Sequence, residues 1–257
     1  MNILITAGGT SERIDDVRRI TNLGTGALGA RVAEAFAGAL ASEGQECCIT
    51  YICSKGSVRP SVSVDVRVAD DVGAVEATVR QACAEREYDI VVHSMAIGDY
   101  RVRAVSDAGL MTGAVMERLS YLACGDSSSP EEAVRDALLS PPDIKAAKIS
   151  SDKEDLVVVL ERAPKIIALY RELAPRAVLV GFKLLSDASE DDLVSAACAL
   201  LEKNGCDFVL ANDMGTVRAG AHEGLLVGRS GTCERAESKE GIAGLIVRHA
   251  LESVRQA

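Results

Sequence analysis

Tryptophan is absent from the 257 residues, phenylalanine occurs three times and aromatics make up 3%, although 48% of the chain is hydrophobic. A core must therefore be filled by Ala, Val, Leu and Ile, and the length suffices for one large or two modest folded domains. Long apolar runs are also missing. None reaches the roughly 20 residues that span a bilayer, and the opening MNILIT lacks the basic start and apolar centre of a signal peptide. The expectation is a cytoplasmic protein with no membrane partner. Positive charge is in deficit, 28 Lys and Arg against 38 Asp and Glu for a net charge of -10, which excludes general attraction to nucleic acid. A phosphate-bearing ligand must then be held by local Lys or Arg, backbone N–H groups or a divalent cation. Histidine occurs only at 93, 222 and 249, and the eight cysteines contain no C-x-x-C pair. No protein metal ligands are read from this, and a reduced compartment fits best.

What is present is an alternation of short apolar runs and helical periodicity. Ile3-Leu4-Ile5-Thr6, ended by Gly8-Gly9-Thr10, predicts a buried strand feeding a Gly-rich turn. Residues 26–40 repeat apolar positions at three- and four-residue intervals, predicting a helix stopped by Gly44. Strands are predicted over 47–53 and 89–93, with a helix over 72–86 between them. Residues 104–150 break the rhythm with Gly109, Gly113, Gly125, Ser127, Ser128, Ser129, Pro130, Pro141 and Pro142; they predict an irregular excursion carrying one helix near 131–138. Rhythm returns with a strand over 155–160, a helix opened by Pro164, a strand over 177–182, a helix over 189–203 and a strand over 207–211. Residues 225–228 predict an antiparallel edge strand, and Ser238 caps a closing helix that reaches Val254. The fold class expected is α/β: a mainly parallel, Rossmann-like three-layer sheet with a flap or dimerisation excursion at 104–150, the whole chain 1–257 being one domain.

TNLGTGALG, residues 21–29, spells G-x-G-x-x-G, the dinucleotide-binding fingerprint. That motif works when it joins the first strand directly to the first helix, and here residues 8–23 intervene. The second strand also ends in Ser54-Lys55 and not in the acid that would hold a ribose. An NAD(P)-dependent oxidoreductase is therefore the lesser alternative, and Tyr51-x-x-x-Lys55 lies on a strand where the two side chains share no helical face. A helix start preceded by glycines, with Arg13, Arg18 and Arg19 nearby, still suits a phosphate or carboxylate. His93 to Arg101 ends a buried strand with Asp99 and Arg101, which are either ligand contacts or a solvated pair; His93 itself reads as a packed strand residue. Lys145 and Lys148 lie where the excursion ends and could neutralise a polyphosphate, although on that segment alone an exposed face is the better account. Gly181, Lys183, Asn212 and Asp213 end two further strands, so four strand ends converge on one edge.

Taken in order, ITAGGTSERIDDVRRITNLGTGALG, SMAIGDYRV, KISSDKEDLVVVLERAPKII, VGFKLL and FVLANDM resemble phosphopantothenate–cysteine ligase, the second half of the bifunctional coenzyme A biosynthesis flavoprotein. The resemblance covers nearly the whole chain and implies a stand-alone ligase, starting at the ligase's own first strand, with a separate decarboxylase acting next. It implies a two-step ligation with CTP or ATP and Mg²⁺: the carboxylate of 4′-phosphopantothenate attacks the α-phosphate, and cysteine then displaces the nucleotide. It further implies Asn22 and Lys148 as catalytic groups. Nucleotide contacts fall to His93, Ser94, Met95, Asp99, Lys148, Pro164, Lys165, Ile166, Ile167, Phe182 and Lys203, and substrate contacts to Arg18, Asn22, Thr25, Gly26 and Ala96. The family is dimeric, so a homodimer is implied, with residues 104–150 as a flap. The chain departs from the family at Leu23-Gly24-Thr25, which replaces a serine-rich turn, and at Lys148-Ile149-Ser150-Ser151, which has fewer lysines. A non-catalytic nucleotide-binding protein is a third reading.

Overall fold

In the computed structural model, which describes residues 1–123, 129–218 and 222–256, Ile3, Leu4 and Ile5 have no solvent exposure on either side of their strand. Only a strand inside a sheet covered on both faces buries successive residues in this way. In chain order the first half contains β1 (Asn2–Ala7), β2 (Ser11–Arg13), β3 (Arg19–Thr21), α1 (Ala27–Ser42), β4 (Cys48–Cys53), β5 (Asp65–Val68), α2 (Val72–Glu85) and β6 (Ile90–His93). Next come β7 (Tyr100–Ser106), α3 (Ala108–Ala123), α4 (Pro130–Leu139), β8 (Val157–Arg162), α5 (Ile166–Leu173) and β9 (Val178–Leu185). The chain closes with α6 (Glu190–Asn204), β10 (Phe208–Asp213), α7 (Met214–Arg218), β11 (Gly224–Gly228), β12 (Cys233–Ala236) and α8 (Lys239–Gln256). Two compact units result: Met1–Thr10, Asn22–Ile97 and Lys165–Ala257 form a sheet unit, and Ser11–Thr21 with Gly98–Pro164 form a ribbon unit.

The sheet unit is built on eight strands in the order β12-β11-β10-β9-β6-β1-β4-β5. β10, β9, β6, β1, β4 and β5 run parallel; β11 is antiparallel to β10, and β12, antiparallel to β11, returns to the common direction. Helices α1 and α8 pack on each other, as do α2 with α5 and α5 with α6, which gives three layers. Phe36 and Leu40 of α1, Ile246 and Leu251 of α8 and the strand residues Ile5, Val92 and Val180 share one core cluster. That core is mostly aliphatic, as the scarcity of aromatic residues requires, with Phe36, Tyr51 and Phe208 as its aromatic members. The chain passes from β1 to β4 on one side and later to β6 on the other, so the order reverses at β1 and β6. Ligands of open α/β sheets bind at the carboxyl ends of strands flanking such a reversal.

The ribbon unit contains the β2–β3 hairpin, the antiparallel β7–β8 ribbon with an irregularity between Val102 and Ala104, and α3 packed on α4. Three expectations are corrected by it. Residues 108–123 are helical, not irregular: the Asp107 carboxylate accepts the Leu110 N–H at 2.8 Å and caps α3, which offsets the roughly 1 kcal/mol that each internal glycine costs. The apolar run 155–160 becomes β8 and pairs with β7, not with the main sheet, because an apolar run shows a strand without showing its partner. Pro164 precedes the helix: Lys165 is the extended N-cap of α5, which starts at Ile166. The helix foreseen near 131–138 is α4, capped by Ser129 and Glu132 with Pro130 in its first turn. Gly125, Ser127, Ser128 and Cys124 lie outside the described residues. The strand at 224–228 is antiparallel as expected, but β12 and not β11 forms the sheet edge.

Candidate functional site

The turns after β1 and β6 are joined at the reversal point. The Ala96 N–H donates to the Gly8 carbonyl at 2.8 Å, and the Ala96 carbonyl accepts the Thr10 N–H at 3.0 Å. The chain leaves at Thr10, forms the β2–β3 hairpin, and returns with the Asn22 N–H donating to the Thr10 carbonyl at 2.9 Å. Residues 8–23 therefore do not part β1 from α1, because the return sets Asn22 and Gly24 directly on Gly8 and Gly9. A Cβ on Gly24 would lie 2.4 Å from the Gly8 carbonyl oxygen, so only glycine permits this approach. Gly26, with φ of 75°, turns the chain into α1 without a side-chain cap. From the other side the Tyr51 hydroxyl reaches the Val58 carbonyl at 2.9 Å and the Gly26 carbonyl at 3.3 Å, and the Val58 N–H donates to the Thr25 carbonyl at 2.9 Å. Ser54 Oγ accepts the Gly9 N–H at 3.3 Å and meets Ser57 Oγ at 2.7 Å. The outcome is a fixed glycine turn that aims the positive end of α1 at the carboxyl edge of β1 and β6, with the Thr25 hydroxyl accepting the Ala27 N–H at 3.3 Å.

His93, Ser94, Met95 and Ala96 stand at that edge. His93 is buried, its Nδ1 lying 2.9 Å from Thr6 Oγ1 and 3.3 Å from the Tyr170 hydroxyl, with the two rings edge to face at 5.3 Å. Burial depresses its pKa to about 4, so the ring is neutral and packed, as its place on the strand implied. Thr6 also accepts the Ser94 hydroxyl on its carbonyl at 2.6 Å and the Met95 N–H on Oγ1 at 3.4 Å. The backbone of 94–96 is thereby fixed from below by a buried threonine that the sequence reading passed over. Its only signal is a polar residue directly after the apolar run Ile3-Leu4-Ile5.

Register extends the edge across neighbouring strands. His93 lies beside Gly181, and Lys183 beside Ala211, which precedes Asn212 and Asp213. Half-buried Phe182 packs against the core cluster. Asp213 is already committed: its carboxylate accepts the Ala188 and Gly215 N–H groups at 3.1 and 2.8 Å and is held below the usual range, the Ala188 bond being the largest cause. Lys165 and Ile166 begin α5, and Ile167 packs on Gly181. Lys203 is not brought to this edge. It ends the 15-residue α6, whose ~22 Å length carries it to the amino end of the strands.

Arg18, Asp99, Lys148 and Pro164 belong to the ribbon unit. Arg18 Nη2 donates to the Ile149 carbonyl at 2.8 Å. Arg101 pairs with Glu161 across β7 and β8 at 2.6 Å, and the Asp99 carbonyl accepts the Ala163 N–H at 3.0 Å. Exposed Lys148 adjoins a cleft of about 400 Å³ lined in part by Arg13, Arg103, Lys145 and Ala147.

Comparison with known proteins agrees with this fold. The sequence matches the DNA/pantothenate metabolism flavoprotein C-terminal domain over residues 1–119 and 132–253. It is 31% identical over 229 residues to the coenzyme A biosynthesis bifunctional protein CoaBC of Thermococcus kodakarensis, covering 88% of this chain and 45% of that protein. The chain thus spans about half the length of that relative. The crystal structure of the DNA/pantothenate metabolism flavoprotein from Streptococcus pneumoniae superposes with a TM-score of 0.74 at 33% identity, covering 100% of this chain and 99% of the other. The fold is shared at 16% identity and a TM-score of 0.66 with the Cab2 mutant H337A in complex with phosphopantothenate-cysteine, over 99% of this chain and 86% of the other. Together with the glycine turn, the fixed 94–96 backbone and the α/β sheet order, these matches show that the chain belongs to the DNA/pantothenate metabolism flavoprotein C-terminal domain family.

Proposed function

We propose that the protein joins 4′-phosphopantothenate to cysteine through an acyl-nucleotidylate made from CTP or ATP. The observation that carries this reading is the family match over most of the chain, and the uncapped start of α1 beside Asn22 supports it. A carboxylate does not react with an amine until one of its oxygens becomes a good leaving group. In the first step the substrate carboxylate oxygen attacks the α-phosphorus and pyrophosphate leaves. In the second the cysteine nitrogen attacks the acyl carbon, the nucleoside monophosphate leaves and the nitrogen gives up a proton. Both steps crowd anions together, so fixed N–H dipoles and a cation are what a catalyst must supply.

The α1 N-terminus and the 94–96 backbone offer such dipoles, Asn22 a neutral amide donor for the acyl oxygen, and Lys148 the positive charge. Lys165, Phe182 and Asp99 are proposed to contact the nucleotide, and Arg18 the substrate. Among the described residues no group of three or more His, Cys, Asp or Glu side chains forms a cage for a metal ion. Mg²⁺ in this reading enters on the triphosphate oxygens, as is usual for that ion, and no step is assigned to it. A second copy of the chain in a homodimer belongs to the same proposal. Incubation with 4′-phosphopantothenate, cysteine, Mg²⁺ and either nucleotide should release pyrophosphate and form the amide, and no release with either nucleotide overturns the proposal. Asn22→Asp places an anion where a neutral donor stood, and Lys148→Gln removes the charge. Each should lower turnover by about 10²- to 10³-fold, the range seen when one oxyanion donor is lost, with the melting temperature little changed. Near-normal rates in both variants refute the two roles.

A further inference from the structure

Residues 147–149 are gripped from both sides by the turn of the β2–β3 hairpin, with Lys148 in the middle. The Asp16 N–H donates to the Ala147 carbonyl at 2.9 Å. The Ile149 N–H donates to Asp15 Oδ2 at 3.2 Å, and the Ile149 carbonyl accepts Arg18 Nη2 at 2.8 Å. The Asp15 side chain has no solvent exposure, although it is a carboxylate on a three-residue-strand hairpin. Its Oδ1 accepts the Val17 and Arg18 N–H groups at 2.8 and 2.7 Å, and Arg18 Nε lies 3.7 Å from Oδ2. Burial by itself raises such a carboxyl, but the N–H groups of Arg18, Val17 and Ile149 and the Arg18 charge prevail and hold it ionised below the usual range. Burying a carboxylate is expensive unless every lone pair is used. A turn at a hairpin tip could be closed by an exposed Asp at far less cost, so the burial calls for an account. The third donor, the Ile149 N–H, comes from a segment 134 residues away in sequence, and it is the one that a self-contained turn would not need.

We propose that Asp15 is a positioning residue for the ligation: its carboxylate closes the hairpin turn and in the same stroke fixes the Ile149 N–H, so that Lys148 is presented from a rigid backbone. Ile149, buried to 1% exposure, anchors the segment while Lys148 stays exposed. A flexible lysine stem on a mobile loop loses much of its worth to entropy, whereas one whose two neighbouring peptides are hydrogen-bonded starts from a fixed Cα. The inference rests on the role proposed for Lys148 above.

Asp15→Asn keeps the shape and one acceptor oxygen but offers an NH₂ to one of the three N–H groups, which loosens the turn without emptying it. The expected result is a kcat lowered about 10- to 100-fold, the scale of a small misplacement, with KM for cysteine changed less than about twofold and the fold retained. A double-mutant cycle separates positioning from general damage, since in the Lys148→Gln background Asp15→Asn should cost less than about twofold in kcat. Independent, multiplicative losses overturn the inference, and so does normal kcat in Asp15→Asn when Lys148→Gln alone is crippled. Normal kcat in Lys148→Gln overturns the role of Lys148 itself, so the two failures are distinguishable. Should Asp15→Asn not fold, amide exchange of the unaltered protein decides: an Ile149 N–H protected well beyond the neighbouring Lys148 and Ser150 supports the clamp, and equal fast exchange overturns it.

Discussion

At the scale of single residues, His93 links the packing of the candidate site to pH. Its pKa is about 4 in the folded protein against about 6.5 in an unfolded chain. Between those values the unfolded state binds the extra proton, so stability is full above pH 6.5 and falls as the pH drops toward 4, by about 3 kcal/mol for this group. Carboxylates such as Asp15 and Glu34, whose pKa values are lowered, start to lose their contribution only as the pH falls through the carboxylate range, so most of the His93 window lies above theirs. Urea unfolding at pH 7.5 and pH 5 should show the difference in the unaltered protein, and His93→Gln should shrink it; equal losses in both proteins contradict the account. Gly24 illustrates a steric constraint instead. A Cβ there meets the Gly8 carbonyl at 2.4 Å, and that backbone has no rotamer with which to yield. Gly24→Ala should cost about 1–3 kcal/mol, typical of overpacking, and lower ligation more than it lowers the melting temperature, since the moved turn carries Asn22. Retention of full activity argues that the close approach serves packing alone.

Among the elements, those with a long apolar stripe were legible and those with short or two-sided patterns were not. α1, α2, α6 and α8 follow their periodicity, and Asp71, Ser189 and Ser238 cap the last three of them. β5 and β12, of four residues each, and the three-residue β2 and β3 are too short to show a period and owe their existence to partners found only on folding. α3 was hidden by Gly109 and Gly113, whose breaker chemistry is local, whereas the Asp107 cap and α4 packing that override it are not. At the site the same division holds. The glycines, Asn22 and the four strand ends were readable as positions, but the burial of Asp15 and the Thr6 support under 94–96 depend on contacts across 134 and 89 residues. The legible elements allow quantitative tests. Phe36 of α1 has no exposure and sits among α8 and strand residues, so Phe36→Ala should remove about 3–5 kcal/mol. Ser189→Ala, which loses the capping box of α6, should remove about 1 kcal/mol. Calorimetric melting should rank the two in that order, and a reversed order means that the core around α1 is looser than its burial implies.

For the whole molecule, the decisive feature is that residues 11–21 depart from and return to one point of the sheet unit. Thr10 and Asn22 are joined by a hydrogen bond of 2.9 Å, and Ser11 faces Thr21 in register, with their hydroxyls 2.8 Å apart. The sheet unit therefore closes its own β1-to-α1 connection, and the hairpin is an inserted arm whose turn grips residues 147–149 inside the ribbon unit. Replacing residues 12–20 by Asn-Gly, a two-residue turn suited to opposed strands, shortens the loop and leaves Gly8, Gly9, Gly24 and Ala96 untouched. Loop-closure entropy changes by roughly 1 kcal/mol in favour of folding. The sheet unit of this variant should keep its far-ultraviolet circular dichroism and its nucleotide binding, read by calorimetry with CTP or ATP. Ligation should fall by more than about 10²-fold, because Asp15, Arg18 and the hold on Lys148 leave together. Tight NAD(P) binding with no heat from either triphosphate would instead revive the dinucleotide reading of TNLGTGALG. Loss of nucleotide binding together with ligation would overturn the assignment of the nucleotide contacts to residues outside the hairpin.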